Sequence, residues 1–501
     1  MTFWETIQAI GPEVILAVGA TDLLLLTAFS KNPNVIRTIS LISVLLLLAA
    51  SAALLGPASH AGNLFHGQFR ADAFSAFAKL LIFLASAVAI AMAPGFLKRE
   101  GEAHGEYPIL ILFAALGMSV MVSAGDLMML YVGLELSSLS AYVLASFARR
   151  NTRSSEAGLK YFVLGALASG LLLYGISLLY GFTGSTVFED IAIALATPAS
   201  EGIELGRLFG IVFVLAGIAF KVSAVPFHMW TPDVYQGAPT PVTAFFASAP
   251  KVAAMVLLTR LVIDAMGPAT DAWRQIIIFM ALASTILGGV AAIGQRNIKR
   301  LLAYSSINNV GFALVGLAAA GLAGVASVLI YMTVYVVMTL GSFLVVMRLR
   351  GADGEQLESI DSLSGLARSR PGLALAMMTF MFSLAGIPFF FGFYPKLMVF
   401  DAAVQADLAW LAAVAIATSV IGAFYYIKIV KIMYFDEGGP ELTTEKEPVA
   451  SGLIALTALA VSPLGYLAIP YLETATTEAA ASIVQSGPVV PAAPQTLASG
   501  H

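Results

Sequence analysis

Long blocks of apolar residues, separated by short polar stretches, recur along the whole chain. Most of these blocks approach the ~20 residues that an α-helix needs to cross a bilayer. Helices are the spans open to such blocks, because lipid offers no hydrogen-bond partners to the backbone of an exposed loop or sheet edge. We therefore predict an all-α polytopic membrane protein with about fourteen transmembrane helices, near residues 11–30, 34–55, 71–93, 108–122, 126–148, 156–182, 204–235, 238–263, 275–293, 299–320, 323–348, 371–404, 407–435 and 448–471.

The composition agrees with a membrane protein and excludes several other classes. Of the 501 residues, 59% are hydrophobic and 11% are charged, with a mean hydropathy of +0.89; a soluble protein of this size needs more surface charge. The formal charge of −4 gives no indication of a nucleic-acid partner. The absence of cysteine excludes disulfides and thiolate ligation of metals or iron–sulfur clusters. The first residues, MTFWETIQAIGPE, lack the basic start and cleavage site of a signal peptide, so we expect them to be uncleaved.

Basic residues predict how the helices are oriented. With the N-terminus outside, the outer loops hold only Arg70, Arg207 and Arg274, which is a strong positive-inside bias and favours an even number of helices with both termini outside. The inner loops then hold seventeen basic residues: Lys31, Arg37, Lys98, Arg99, Arg149, Arg150, Arg153, Arg296, Lys299, Arg300, Arg348, Arg350, Arg368, Arg370, Lys428, Lys431 and Lys446. The remaining six lie within predicted helices: Lys79, Lys160, Lys221, Lys251, Arg260 and Lys396. Arg260 lies near a helix end, where we expect it to snorkel, whereas the five lysines are expected to lie deep.

An internal repeat is predicted when the fourth to eighth helices (108–263) are laid over the ninth to thirteenth (275–435). Pro226 and Pro232 in VPFHMWTPDVY then match Pro388 and Pro395 in IPFFFGFYPKLMV. Proline removes a backbone donor, so each of these two helices should be broken within the membrane. Five helices is an odd number, which makes the repeats inverted, and paired broken helices indicate a transport site. Residues 1–107 form the first three helices outside the repeats, and 472–501 are expected to be a flexible tail.

Ionisable residues inside a membrane are costly and indicate function. The deep candidates are Glu135, Lys160, Lys221, Lys251 and Lys396. Helical spacing places Glu135, Ser138 and Tyr142 on one face. A buried lysine changes its proton affinity with small movements of a carboxylate, which suits proton transfer. The hydroxyls and amides of LLAYSSINNVGF could carry a water chain between lysines: Ser305, Ser306, Asn308 and Asn309.

Several charged residues also have a structural interpretation. Lys160 lies near a helix end, from which it could snorkel to the interface. Lys79 and Asp22 lie outside the repeats and are expected to contact packing partners. His228 follows a break, where it could relay protons or cap unwound backbone. The sequence contains no phosphate-binding loop, H-E-x-x-H run or serine elbow, and His228 is the one histidine clearly within a predicted span, which excludes a paired-histidine haem site.

Three segments carry a resemblance to a known family: KVSAVPFHMWTPDVYQGAPTPVTAFFASAPKVA, the glutamate in YVGLELSSLSAYVL, and YSSINNVGF. They resemble the antiporter-like membrane subunits of respiratory complex I and of multisubunit cation/proton antiporters, over nearly the whole chain. The resemblance implies that Glu135 and Lys221 form a coupling ion pair that Lys160 modulates. It also implies that Lys251 is the central proton relay and that Lys396 is the relay towards the outer exit.

The resemblance further implies where the chain works and with what. It implies a proton-translocating subunit of an NADH–quinone oxidoreductase in the bacterial plasma membrane, packed against other membrane subunits. No cofactor is expected in this chain; flavin, iron–sulfur clusters and quinone are expected in partner subunits.

Two other functions fit the same residues. The chain could belong to a cation/proton antiporter complex driven by Na⁺ or K⁺ gradients, since a lysine at the position of Lys396 also occurs in that group. It could instead be a structural membrane subunit whose charges are inert, although a buried line of charges from Glu135 to Lys396 argues against that.

Overall fold

The computed structural model describes residues 2–29, 35–443 and 447–485. Lys31, Lys446 and residues 486–501 of the predicted tail lie outside the described residues. Most of the described chain is helical, as the apolar blocks predict. The helices are α1 Phe3–Ala9, α2 Gly11–Phe29, α3 Val35–Ala53, α4 Ala73–Arg99, α5 Glu106–Val122, α6 Leu127–Ala145, α7 Thr152–Thr183, α8 Phe188–Ala196, α9 Glu201–Val222, α10 Trp230–Gly237, α11 Thr240–Phe246, α12 Ala249–Arg260, α13 Thr270–Ile293, α14 Ile298–Ala319, α15 Gly321–Met347, α16 Leu366–Ser369, α17 Pro371–Ala385, α18 Phe393–Gln405, α19 Ala409–Phe435, α20 Pro448–Val461 and α21 Ile469–Val484.

A short hairpin, which the sequence analysis did not predict, precedes α4. Strands β1 (Gly62–Leu64) and β2 (Phe69–Ala71) pair antiparallel, with Asn63 opposite Arg70. Asp72 follows directly and accepts a hydrogen bond from the backbone of Ser75, which caps the start of α4.

Each of the fourteen predicted helices has a helical counterpart, and the all-α membrane fold is confirmed. Within the described ranges, eleven helices are long and apolar enough to cross a bilayer, or twelve if α20 and α21 are taken as one bent span. Helices α5 and α17 are apolar but shorter. The number fourteen therefore stays a prediction.

Two spans are broken where proline pairs predicted it. The seventh predicted helix ends as α9 at Val222 and resumes as α10 at Trp230; the twelfth ends as α17 at Ala385 and resumes as α18 at Phe393. Left-handed residues follow both ends, Ser223 at φ +67° and Gly386 at φ +79°. The eighth predicted helix is also interrupted, between α11 and α12.

The prediction for the C-terminal region was partly wrong. The last span bends by 67° between α20 and the segment that begins at Pro463. Helix α21 then continues to Val484, through residues assigned to the flexible tail. Pro463 and Pro470 each lie in the first turn of a helical segment, where proline is tolerated, and the alanine-rich sequence that follows favours a helix.

The centre of the molecule is formed by α14 and α15, which are almost wholly buried. Helix α14 packs against α13, α15, α18, α19 and α10. It therefore contacts the second half of both broken spans. The elements after the breaks meet opposite ends of α14: Arg300 near its start contacts α10, and Gly316 near its end lies against Val399 of α18.

Candidate functional site

Lys251 lies at the first break. Its side chain is buried, and Nζ donates a hydrogen bond to the carbonyl of Val222, the last residue of α9, at 2.8 Å. Nζ also donates to the hydroxyl of Ser223 and lies 5.3 Å from the centre of the Trp230 ring. The lysine reaches this position because it follows Pro250, in the first turn of α12. Every one of these partners is neutral.

Lys396 repeats the arrangement at the second break. Its Nζ donates to the carbonyl of Ala385, the last residue of α17, at 3.0 Å, and to the hydroxyl of Ser419 at 2.9 Å. The ring of Phe312 lies 4.7 Å from the ammonium. Two buried lysines thus each bind a C-terminal carbonyl that has no donor within its own broken helix.

The expected direct ion pair between Glu135 and Lys221 is not formed. No ion pair among the described residues joins them: Lys221 donates to Ser138 at 2.7 Å and to Tyr142 at 3.3 Å, and Glu135 accepts from the hydroxyl of Ser169. Glu135, Ser138 and Tyr142 lie on one face of α6, as their spacing predicts. Lys221 uses the two hydroxyl groups of that face instead of the carboxylate, and both Lys221 and Glu135 are half-buried.

The polar residues of α14 lie between the two breaks. Asn309 accepts from Tyr331 at 2.7 Å and donates to Tyr426 at 3.3 Å, and Tyr426 lies 2.5 Å from the hydroxyl of Ser305. Ser306 accepts from Tyr335 at 2.8 Å. Phe312, three residues beyond Asn309, faces Lys396. The hydroxyls and amides of this segment are therefore buried, and their hydrogen bonds go mainly to tyrosines of α15 and α19.

Lys160 lies apart from the Lys221 site. It pairs with Glu156 and Asp233, both at 2.8 Å, and its side chain is 42% exposed, so the prediction that it lies deep is wrong. Asp233 also accepts from Arg300 at 2.6 Å. Lys160 thus ties α7 to α10 at the basic end of the helices.

His228 lies within the first break and is half-buried. Its Nδ1 has no hydrogen-bond partner among the described residues. The structure therefore brings His228 to the break without showing a relay partner for it.

Two clusters of buried charges were not predicted from the sequence. Lys79 is fully buried and pairs with Glu13 at 2.7 Å, and Glu13 also accepts from Ser119. Sequence spacing gave no signal for Glu13, because it lies in the first turn of its helix like an ordinary N-terminal acid.

The second cluster corrects the expectation for Arg260. Arg260 does not snorkel: its side chain is fully buried and binds Asp72 at 2.7 Å and Asp264 at 3.3 Å. Asp264 also pairs with Arg70 at 2.9 Å. Burial would raise the pKa of Asp72, but the Arg260 guanidinium holds it below its ordinary value. The fold places the carboxylates of Asp72 and Asp264 next to Arg260, so its charge is paired inside the protein and not solvated by water.

The described residues contain no group of three or more His, Cys, Asp or Glu side chains placed to hold a metal ion.

Comparison with known proteins gives a consistent result. Residues 124–422 match the family described as NADH:quinone oxidoreductase/Mrp antiporter, transmembrane. Proteins named NADH-quinone oxidoreductase subunit N are similar along nearly the whole length of both chains. The one from Rhizorhabdus wittichii is 64% identical, over 96% of this chain and 100% of its own. The one from Sphingopyxis alaskensis is 60% identical, over 94% and 98%.

Solved structures share the fold. A chain of respiratory complex I from Thermus thermophilus, with bound aureothin, superposes with a TM-score of 0.77 at 30% identity, over 92% of this chain and 99% of its own. A chain of the Mrp complex from Dietzia sp. reaches a TM-score of 0.81 at 23% identity, over 96% and 98%. At that identity, the second likeness shows the fold alone.

Proposed function

Since this chain belongs to the family of transmembrane subunits of NADH:quinone oxidoreductases and Mrp antiporters, we propose that it is a proton-translocating subunit of an NADH–quinone oxidoreductase. Its close relatives carry the name of subunit N of that enzyme. One proton moved against 100 mV needs about 2.3 kcal/mol. That energy comes from quinone reduction in partner subunits, which also hold the flavin and iron–sulfur clusters.

The observation that carries the proposal is the matched position of Lys251 and Lys396. Both ammonium groups are buried, and both are held by a helix-end carbonyl and a hydroxyl without a carboxylate. A lysine held in this way can exchange its proton without first separating an ion pair. Charges kept in a membrane interior are typical of ion pathways.

The proton route begins at Glu135 and Lys221 and ends at Lys396. Lys221 and Lys251 lie at the same helix end: Lys221 is in the last turn of α9, and Lys251 binds the carbonyl of Val222, the next residue. From there, water beside the polar residues of α14 connects Lys251 with Lys396. Lys160 and His228 have secondary roles, Lys160 by fixing α10 and His228 by offering a free nitrogen in the break.

The two halves, 108–263 and 275–435, are inverted repeats that follow the three helices of residues 1–107. Support comes from their breaks: α10 lies at the start of α14 and α18 at its end, so the two broken spans run in opposite directions. Left-handed residues follow α9 and α17 alike.

The chain works in the bacterial plasma membrane beside other membrane subunits, with both termini on the outer side. The basic residues support this orientation. Arg300 and Arg370 mark the inner ends of α14 and α17, whereas Arg70 and Arg274 mark the outer end.

The test is Lys221→Ala in inside-out membrane vesicles that contain the whole complex. NADH-driven quinone reduction and the proton gradient are recorded together. We expect both to fall at least about tenfold, because removal of a positioned proton-transfer group typically costs that much or more. Lys428→Ala is the matched control, since this lysine is exposed at the basic end of α19 and should leave both activities unchanged.

Copurification with the flavin and iron–sulfur subunits checks assembly and separates the alternatives. Normal quinone reduction and a normal gradient in an assembled Lys221→Ala complex would favour a structural subunit with inert charges. Failure of the wild-type chain to copurify with redox subunits would favour a cation/proton antiporter.

A further inference from the structure

A groove outside the proposed proton route opens between α3, α4 and the start of α20. It has a volume of about 570 Å³, within the range of small-ligand sites. Its walls are mostly apolar and come from three different helices, with Leu41 and Val44 on α3 and Met92 on α4. The groove therefore offers a long apolar slot that runs along transmembrane helices.

The mouth of the groove is basic. Arg37 and Lys98 line it at the basic ends of α3 and α4, and both are exposed. One carboxylate, Glu447, also lines the groove, but it already pairs with Arg99 and with Arg348. The charge that remains for a ligand is positive.

A polar group lies between the mouth and the apolar walls. Ser40 lines the groove one turn from Arg37, and its buried hydroxyl has no hydrogen-bond partner among the residues that the structure describes. A buried hydroxyl without a partner costs free energy, so a ligand atom that accepts from it would stabilise the site. Ser43 of the same helix is also buried and has no hydrogen-bond partner in the described part of the chain, but it does not line the groove.

We propose that this groove binds an anionic phospholipid. Arg37 and Lys98 bind its phosphate, the Ser40 hydroxyl donates to an ester oxygen, and one acyl chain lies along Leu41, Val44 and Met92. Basic pockets between helices at the inner surface bind anionic headgroups in this way. A free phosphate would use the two cations but leave the apolar walls uncovered. A zwitterionic lipid such as phosphatidylcholine would bring its own choline cation next to Arg37 and Lys98, which repel it. An anionic phospholipid can contact the basic mouth, the Ser40 hydroxyl and the apolar walls at the same time.

The experiment uses the intact complex in phosphatidylcholine vesicles that contain a small fraction of photoactivatable phosphatidylglycerol. After illumination, mass spectrometry locates the labelled residues. We expect label on residues 36–44, 91–98 and 448–450 in the wild type. Arg37→Gln with Lys98→Gln should weaken this binding about thirtyfold, because each cation near an anionic headgroup contributes about fivefold to the affinity.

Matched variants separate the site from general effects. Arg149→Gln with Lys428→Gln removes the same charge from exposed positions at the basic end but outside the groove, and should leave labelling unchanged. Ser40→Ala should reduce labelling of the groove, whereas Ser43→Ala should not. Copurification of the redox subunits shows that each variant complex is assembled.

Four results would overturn the proposal. They are equal labelling in the double Arg37/Lys98 variant, equal labelling by photoactivatable phosphatidylcholine, full competition by excess inorganic phosphate, and crosslinks from the groove to a neighbouring subunit in place of lipid. The second points to a neutral lipid, the third to a soluble anion and the fourth to a protein interface. Because labelling needs no turnover, the lipid proposal can fail while proton translocation stands.

Discussion

A hydrogen bond from a lysine ammonium to the last carbonyl of a helix occurs twice in this protein. The last carbonyls of a helix lack intrahelical donors and lie at the negative end of the helix dipole. Lys251 and Lys396 each fill such a position, so the backbone supplies part of the stabilisation that a carboxylate would otherwise give. A positive charge is thereby tolerated in the membrane without a fixed counter-ion.

Gly386 is a sensitive position for the Lys396 hydrogen bond. It has φ +79°, and a Cβ there would lie 2.7 Å from Cδ of Lys396. Gly386→Ala should therefore displace Lys396 and lower both quinone reduction and proton translocation several-fold. It also carries a backbone penalty of about 1–2 kcal/mol.

Gly438→Ala is the control for that penalty. Gly438 has φ +87° with no atom within 4 Å of a Cβ, so the substitution strains the backbone without touching a lysine. NADH-driven activity and thermal stability of the two variants are compared in the same membranes. Equal activity loss in both would show that strain, and not the position of Lys396, is responsible.

The burial of three lysines could be predicted from the sequence, but their partners could not. A lysine inside an apolar block is conspicuous, and Lys79, Lys251 and Lys396 are buried as expected. The carbonyl of Val222 is available to accept from Lys251 because α9 ends at that residue. Lys221 donates to hydroxyl groups of α6 because of how α6 and α9 pack. Partners set by tertiary packing leave no mark in local spacing.

At the scale of elements, the bent last span supplies hydrogen-bond partners for the unwound backbone of the second break. The hydroxyl of Tyr466 donates to the carbonyls of Pro388 at 2.9 Å and Phe390 at 3.1 Å, and the carbonyl of Val461 accepts from the N–H of Phe391. Unwound backbone inside a membrane needs such partners. The kink at 462–468 thus holds the segment that leads into α18 and Lys396.

Tyr466→Phe removes these two hydrogen bonds and keeps the ring. We expect a destabilisation of about 1 kcal/mol, as for other lost hydrogen bonds, together with a lower proton-to-electron ratio because the start of α18 is less firmly held. Tyr471→Phe is the control, because Tyr471 is 81% exposed. The proton gradient per NADH oxidised is the measurement, and an unchanged ratio in Tyr466→Phe would contradict the positioning role.

At the scale of the whole molecule, a four-charge cluster joins the N-terminal helices to the first repeat. Arg70 and Asp72 come from the hairpin before α4, and Arg260 and Asp264 from the end of the eighth span. The fold-level pattern of helices was readable from hydrophobicity, and the breaks from proline. The cluster could not be predicted from the sequence, since it joins residues about 190 apart in the chain, and the hairpin has strands of only three residues, too short for a periodic pattern.

Arg260→Gln should destabilise the protein by about 3 kcal/mol, the lower end for breaking a buried ion pair, because Asp72 loses its cation and Asp264 keeps only Arg70. Arg368→Gln is the control: Arg368 pairs with Glu437 in solvent, where such a pair contributes at most about 1 kcal/mol. Thermal unfolding of the purified complexes compares the two. Similar melting temperatures would show that the buried cluster is not a structural requirement.

The contact between the last span and the second break has a consequence for biosynthesis. Val461 and Tyr466 are made about seventy residues after the unwound segment that they hold. During synthesis, the carbonyls of that segment therefore lack their hydrogen-bond donor, the Tyr466 hydroxyl, until residues 461–466 have left the ribosome. A nonsense mutation after α19 would yield a chain with every lysine of the proposed route but an unfinished second half. Such a product is a natural substrate for the proteases that clear incompletely folded membrane proteins.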